Sequence, residues 1–155
     1  MMSEFSWEEL QVAGTAEAAG MGDIPRAAGK STGGCVLVVD DEPLIRWSLV
    51  QTLEDLGYFT VEAGDARSAL AAATGAARPI DVVLLDFRLP DSNDLTLLAR
   101  LRDLIPNSRI IMMTAFGTSE MTQAARELGV FEVVCKPFEI TDLASLVQAA
   151  TQKPC

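Results

Sequence analysis

Five polar residues stand directly after short apolar runs in this chain, and their types suit phosphoryl chemistry. Asp40 and Asp41 close the run Cys35 to Val39, and Asp86 closes Ile80 to Leu85. Thr114 closes Arg109 to Met113, and Lys136 follows Phe131 to Cys135. Three carboxylates gathered in one crevice repel one another and raise each other's pKa values. A hard dication relieves that repulsion, and Mg²⁺ takes oxygen ligands, usually one or two carboxylates with waters and phosphate. The cluster therefore implies Mg²⁺ and a phosphoryl group, with the Lys136 ammonium and Thr114 hydroxyl holding oxygens not held by the metal. A carboxylate is also a competent nucleophile for phosphoryl transfer, forming an aspartyl phosphate. The chain contains no histidine. That removes the Ser-His-Asp and Cys-His arrangements, the usual general base and the commonest zinc ligand.

Taken singly, each residue has a plainer reading. Asp is a common turn residue and helix N-cap, Thr often only caps, and a Lys before Pro suits a solvated loop. Their recurrence after four of five apolar runs, in chain order, is what argues for a shared site.

Convergence demands elements that bring those ends together. After the first run, Pro43 suits an early helix position, and Ile45, Leu49, Leu53 and Leu56 follow helical spacing up to Gly57. Phe59 to Glu62 reads as a second strand and Ala66 to Thr74 as an alanine-rich helix stopped by Gly75. The run Ile80 to Leu85 is a third strand. A helix marked by Leu95, Leu98, Leu101 and Ile105 follows, and Pro106-Asn107 punctuates it. Arg109 to Met113 is a fourth strand, residues 118–128 a helix before Gly129, and Phe131 to Cys135 a fifth strand. Leu143, Leu146, Val147 and Ala150 define a last amphipathic helix. Strands that read as continuous apolar runs are buried on both faces, which implies a parallel sheet covered by helices. Five units are too few for an eight-stranded barrel, so the expected fold is α/β with a doubly wound open sheet. In such a sheet ligands bind outside the carboxyl ends of the strands, where the five polar residues stand.

The chain has 155 residues, 49% of them hydrophobic, enough for one ordinary domain with something left over. Asp and Glu number 22 against 12 Lys and Arg, a net charge of -10, which disfavours direct binding to nucleic acid or anionic lipid. Cys35, Cys135 and Cys155 are widely spaced and form no CxxC pair, as suits a reduced, cytoplasmic protein. No apolar run approaches the roughly 20 residues of a membrane span, and the acidic start is unlike a signal peptide. Residues 1–34 are rich in Ala and Gly and read as a flexible extension, with Ser6 and Glu9 spaced to cap a helix from Trp7 to Ala19. Gly29-Lys30-Ser31 matches the end of a phosphate-binding loop, but Ile24 stands where that pattern needs glycine, so a linker is expected there. Residues 35–155 form the folded domain.

Four segments carry a specific resemblance: Val38-Val39-Asp40-Asp41-Glu42, Leu84-Leu85-Asp86-Phe87-Arg88-Leu89-Pro90-Asp91, Met113-Thr114-Ala115 and Cys135-Lys136-Pro137-Phe138. From about Val36 to Thr151 the chain resembles a response-regulator receiver domain of the CheY-like superfamily. Ile45-Arg46-Trp47 and Phe116-Gly117-Thr118-Ser119-Glu120-Met121 are similar to the nitrogen-regulation class. The resemblance implies a five-stranded parallel sheet of order 2-1-3-4-5 and Asp86 as phosphoacceptor. It implies Mg²⁺ held by Asp41, Asp86 and the backbone carbonyl of Arg88, with Asp40 acting directly or through water. Thr114 is then the moving phosphoryl contact, Lys136 its partner, and Pro137 follows a cis bond. The implied phosphoryl donor is a sensor histidine kinase or histidine phosphotransfer protein. Output passes to a downstream protein through the fourth helix, fifth strand and fifth helix, and a phosphorylation-dependent homodimer is a further expected partner state. Arg88 and Phe116 stand where the family tunes hydrolysis of the aspartyl phosphate.

Two positions depart from the family pattern. Val133 replaces the usual aromatic switch three residues before the lysine; Phe131 is nearby, and strand alternation places it on the same face as Val133. Asp94 stands where the loop after the third strand usually has Gly. The alternatives are a receiver-like interaction module independent of phosphorylation and an Asp-nucleophile phosphatase. The latter pattern needs a second Asp where this chain has Arg88. The sequence leaves open whether the chain is a single-domain regulator or a fragment without an ATPase or DNA-binding domain.

Overall fold

The computed structural model describes residues 33–152. The helix expected at Trp7 to Ala19 and the Gly29-Lys30-Ser31 stretch lie outside the described residues. In chain order the elements are β1 (Cys35–Val39), α1 (Pro43–Asp55), β2 (Phe59–Ala63), α2 (Ala66–Gly75), β3 (Val82–Asp86), α3 (Thr96–Leu104), β4 (Arg109–Thr114), α4 (Ser119–Glu127), β5 (Glu132–Cys135) and α5 (Ile140–Thr151). The five strands make one parallel sheet of order β2-β1-β3-β4-β5, as the resemblance implied.

Alternation along the strands divides the core between the two faces. Cys35, Leu37 and Val39 of β1 pack with Val83 and Leu85 of β3 and with Ala69, Leu98, Leu101 and Ala125 from α2, α3 and α4. Val36, Val38, Val82 and Leu84 face the other way, toward Leu49 and Leu53 of α1 and Leu143 and Val147 of α5. Every residue of β1 and β3 is buried, which is why their sequences are unbroken apolar runs rather than alternating ones. The edge strand β2 carries exposed residues and accordingly alternates more freely.

Helix ends follow local chemistry. Asp65 and Ser68 form a capping box at the start of α2. Asp91, in the loop after β3, accepts from the backbone N–H groups of Ala66 and Arg67 at 2.7 and 3.1 Å. That carboxylate ties the loop to the amino end of α2, where the helix dipole favours negative charge. Thr118 caps α4 through the N–H of Met121. Gly57 and Gly129 adopt positive φ just beyond α1 and α4, the left-handed conformation that glycine supplies without a Cβ penalty.

Two strand starts differ from the sequence reading. β3 begins at Val82 rather than Ile80, because Asp81 serves as a clasp: its carboxylate accepts from Cys35 N–H at 2.9 Å, and its backbone bonds to Cys35 and Arg109. β5 begins at Glu132, so Phe131 lies before the ladder. Phe131 packs with the α1–α5 side of the core and Val133 with the α2–α4 side. The two residues are therefore on opposite faces, contrary to expectation, since period-two alternation holds only inside the strand.

Candidate functional site

Parallel strands place all their carboxyl ends at one edge of the sheet, and the chain puts its polar residues there. Asp86 and Thr114 are the last residues of β3 and β4, 5% and 3% exposed. Asp40 follows β1 and is fully buried, while Asp41 beside it is exposed. Lys136 follows β5, and its N–H donates to the Thr114 carbonyl at 2.7 Å, extending the β4–β5 pairing to the lysine. The Lys136–Pro137 bond is cis.

The carboxylates of Asp40, Asp41 and Asp86 each offer an oxygen within 4.8 Å of the others. The Lys136 ammonium lies 3.1 Å from Asp86 Oδ2, 3.3 Å from Asp40 Oδ2 and 3.7 Å from Glu42 Oε1. Asp40 Oδ1 accepts from Glu42 N–H at 2.9 Å, and Asp86 Oδ1 from Arg88 N–H at 3.3 Å. Thr114 Oγ1 accepts from Phe116 N–H at 3.2 Å, which leaves its own proton free to be donated. Asp41, Asp86, Arg88, Thr114, Phe116 and Lys136 share one open cleft with Glu42, Phe87 and Ala115.

One ammonium does not neutralise this group. Burial, then the charge of Asp40, push the Asp86 carboxyl up to about 6, against the lowering pull of Lys136 and the Arg88 N–H. Burial opposes the charge on Lys136, but Asp40 and Asp86 outweigh it and hold the ammonium above its ordinary pKa. The donor set is all oxygen, clustered and short of positive charge, so it fits a hard divalent cation such as Mg²⁺.

At the mouth of the cleft the Arg88 guanidinium lies over the Phe116 ring, 5.7 Å from its centroid, and Phe116 is 75% exposed. Val133 is not part of the cleft. It pairs with Met112 in the β4–β5 ladder and packs into the α2–α4 side of the core. Asp94 accepts from Thr96 N–H at 2.9 Å; it thereby caps the start of α3, where the N-cap Leu95 has no side-chain oxygen to offer. The sequence reading missed Glu42, which flanks Lys136, and Arg46, whose Nη1 donates to the Asp40 carbonyl at 2.6 Å. An acidic residue directly after Asp40-Asp41 was a readable signal for the first. The second had only its place in the Ile45-Arg46-Trp47 resemblance, which assigns it no contact.

A family model described as response regulator receiver domain matches residues 36–148. Among curated relatives, the chain is 36% identical over 113 residues to sporulation initiation phosphotransferase F of Bacillus subtilis, covering 73% of this chain and 90% of that protein. It is 36% identical over 116 residues to the DNA-binding transcriptional regulator NtrC of Azospirillum brasilense, covering 74% of this chain. There it spans only 24% of the relative's length. A solved response regulator protein from Burkholderia pseudomallei, with a phosphorylated aspartic acid, calcium ion and citrate, superposes with a TM-score of 0.67 at 29% identity, covering 77% of this chain and 67% of that one. Among the described residues no helix is long and apolar enough to cross a membrane. The family match, the sheet order and the clustered carboxylates agree: the chain belongs to the response regulator receiver domain family.

Proposed function

We propose that the chain transmits a two-component signal by accepting a phosphoryl group on Asp86. The observation that carries this reading is the Lys136 ammonium 3.1 Å from Asp86 Oδ2, inside a cluster of three carboxylates. With its carboxyl titrating at about 6, Asp86 is mostly ionised at neutral pH and able to attack. The donor is a phosphohistidine on a sensor kinase or phosphotransfer protein. An Asp86 oxygen bonds to phosphorus, the P–N bond breaks, and the imidazole leaves with the electron pair. Asp40, Asp41, Asp86 and the Arg88 carbonyl are the groups that would hold Mg²⁺, which supplies charge neutralisation at the transferring phosphoryl oxygens. Lys136 and the Thr114 hydroxyl each donate a hydrogen bond to oxygens of the group once transferred.

Thr114 ends β4 and Lys136 follows β5, the strands that lead toward α4 and α5, so the response reaches the α4, β5 and α5 surface and a downstream protein there. A phosphorylation-dependent homodimer is one form that output takes. The domain acts as a cytoplasmic phosphoacceptor, and its own turnover is limited to slow hydrolysis of the aspartyl phosphate. Incubation with acetyl phosphate and Mg²⁺, followed by intact mass, tests this reading. One added phosphate, absent with excess EDTA, is expected; no gain in mass under saturating donor and metal overturns it.

A further inference from the structure

Arg46 is one residue that touches the acidic pocket without facing it. It lies on the first turn of α1, and its side chain is only 23% exposed. Its guanidinium forks: Nη1 donates to the Asp40 carbonyl at 2.6 Å, and Nε pairs with Glu62 Oε1 of β2 at 3.2 Å. The seat is built to fit it. A Cβ on Gly64 would stand 3.1 Å from Nη1, so the glycine after β2 leaves the room the guanidinium occupies.

The contact completes the restraint of Asp40. Its N–H donates to the Ala63 carbonyl at 3.1 Å, and its carboxylate is held by Glu42 N–H and Lys136 Nζ. The carbonyl that Arg46 grips belongs to the peptide joining Asp40 to Asp41. Rotation of that peptide would swing the Asp41 carboxylate relative to Asp40 and Asp86. A charge-assisted hydrogen bond from a planar, anchored guanidinium fixes it more firmly than water or an ammonium could.

We propose that Arg46 is a positioning residue for cation binding: by clamping the Asp40–Asp41 peptide it sets the geometry of the three-carboxylate cluster. This rests on the reading of that cluster as the Mg²⁺ and phosphoryl site. Charge and geometry act in opposite directions here. By Coulomb's law alone, removing a cation near three carboxylates tightens Mg²⁺ binding. Loss of the clamp loosens it, by the ten- to hundredfold typical of outer partners of metal ligands.

The test is Mg²⁺ titration by calorimetry on the unphosphorylated chain, with acetyl phosphate labelling across the same Mg²⁺ concentrations alongside. Arg46→Lys keeps the charge and loses the fork; Arg46→Gln loses the charge. We expect Mg²⁺ Kd to rise about tenfold or more in both, with the Mg²⁺ concentration that gives half-maximal labelling rising by the same factor. Unchanged affinity in Arg46→Lys, or tighter binding in Arg46→Gln, overturns the inference while leaving the phosphoacceptor reading intact. Equal loss of labelling rate and thermal stability at every Mg²⁺ concentration also overturns it, marking a purely structural role. An unaltered chain that binds no Mg²⁺ overturns the cluster reading itself and this inference with it.

Discussion

The Arg88 guanidinium stacks over the exposed Phe116 ring at 5.7 Å, joining the loops after β3 and β4 across the mouth of the acidic cleft. Hydrolysis of an aspartyl phosphate needs a water in line with the leaving carboxylate, and neither side chain can act as a general base at neutral pH. On the proposed phosphoacceptor reading, the pair is expected to shield the group more than it activates water. Arg88→Asn combined with Phe116→Glu should shorten the phosphoprotein lifetime about tenfold, a barrier change of about 1.4 kcal/mol. Decay after removal of the donor at constant Mg²⁺ measures it, and an equal or longer lifetime contradicts the shield.

The raised pKa of Asp86 makes stability depend on pH. In the unfolded chain this carboxyl loses its proton near 3.8; in the folded, metal-free chain it holds it to about 6. Between those values the folded state binds more protons, so unfolding free energy falls as pH rises through that window. That gap corresponds to roughly 3 kcal/mol. Asp86→Asn should therefore stabilise the chain in EDTA by about that much at pH 7 and by little at pH 4, read as the difference between urea midpoints of the two proteins. A difference independent of pH contradicts the assignment.

Lys136 neutralises part of a buried acidic pair, so its loss leaves uncompensated charge. Lys136→Met should destabilise the metal-free chain by about 3 kcal/mol. Mg²⁺ should recover much of that loss, because a ligand bound only by the folded state stabilises it. Urea unfolding with EDTA and with saturating Mg²⁺ compares the two; equal destabilisation in both media counts against a shared site.

Phosphorylation should perturb backbone amide signals of residues 115–135 far more than those of residues 60–75, since Thr114 and Lys136 lead into α4 and α5. Val133 lacks a ring to rotate and is half-buried against the core, so a modest population shift is expected rather than a large two-state change. A uniform or reversed pattern contradicts this route.

The sheet, its parallel sense and the five strand-end residues were legible because burial on both faces forces unbroken apolar runs, and polar residues end them abruptly. What escaped the sequence depended on contacts distant in the chain. Asp81 looked like a strand residue until its carboxylate met Cys35, 46 residues earlier. Phe131 seemed to share a face with Val133 because alternation was extended one residue beyond the true start of β5. Asp94 stood out as the loss of a glycine, whereas its carboxylate gives α3 a cap. Arg46 was noted only as part of a resemblance; its role depends on Glu62 and Gly64, which reach it from β2 and the loop beyond.

Locating the transferred phosphate tests the central claim most directly. After labelling with acetyl phosphate and Mg²⁺, borohydride reduction converts an aspartyl phosphate into a stable alcohol that peptide mass spectrometry can place. The modification is expected at Asp86 alone and should vanish in Asp86→Asn. Modification at Asp40 or Asp41 in the unaltered chain, or undiminished labelling of Asp86→Asn, would contradict the account.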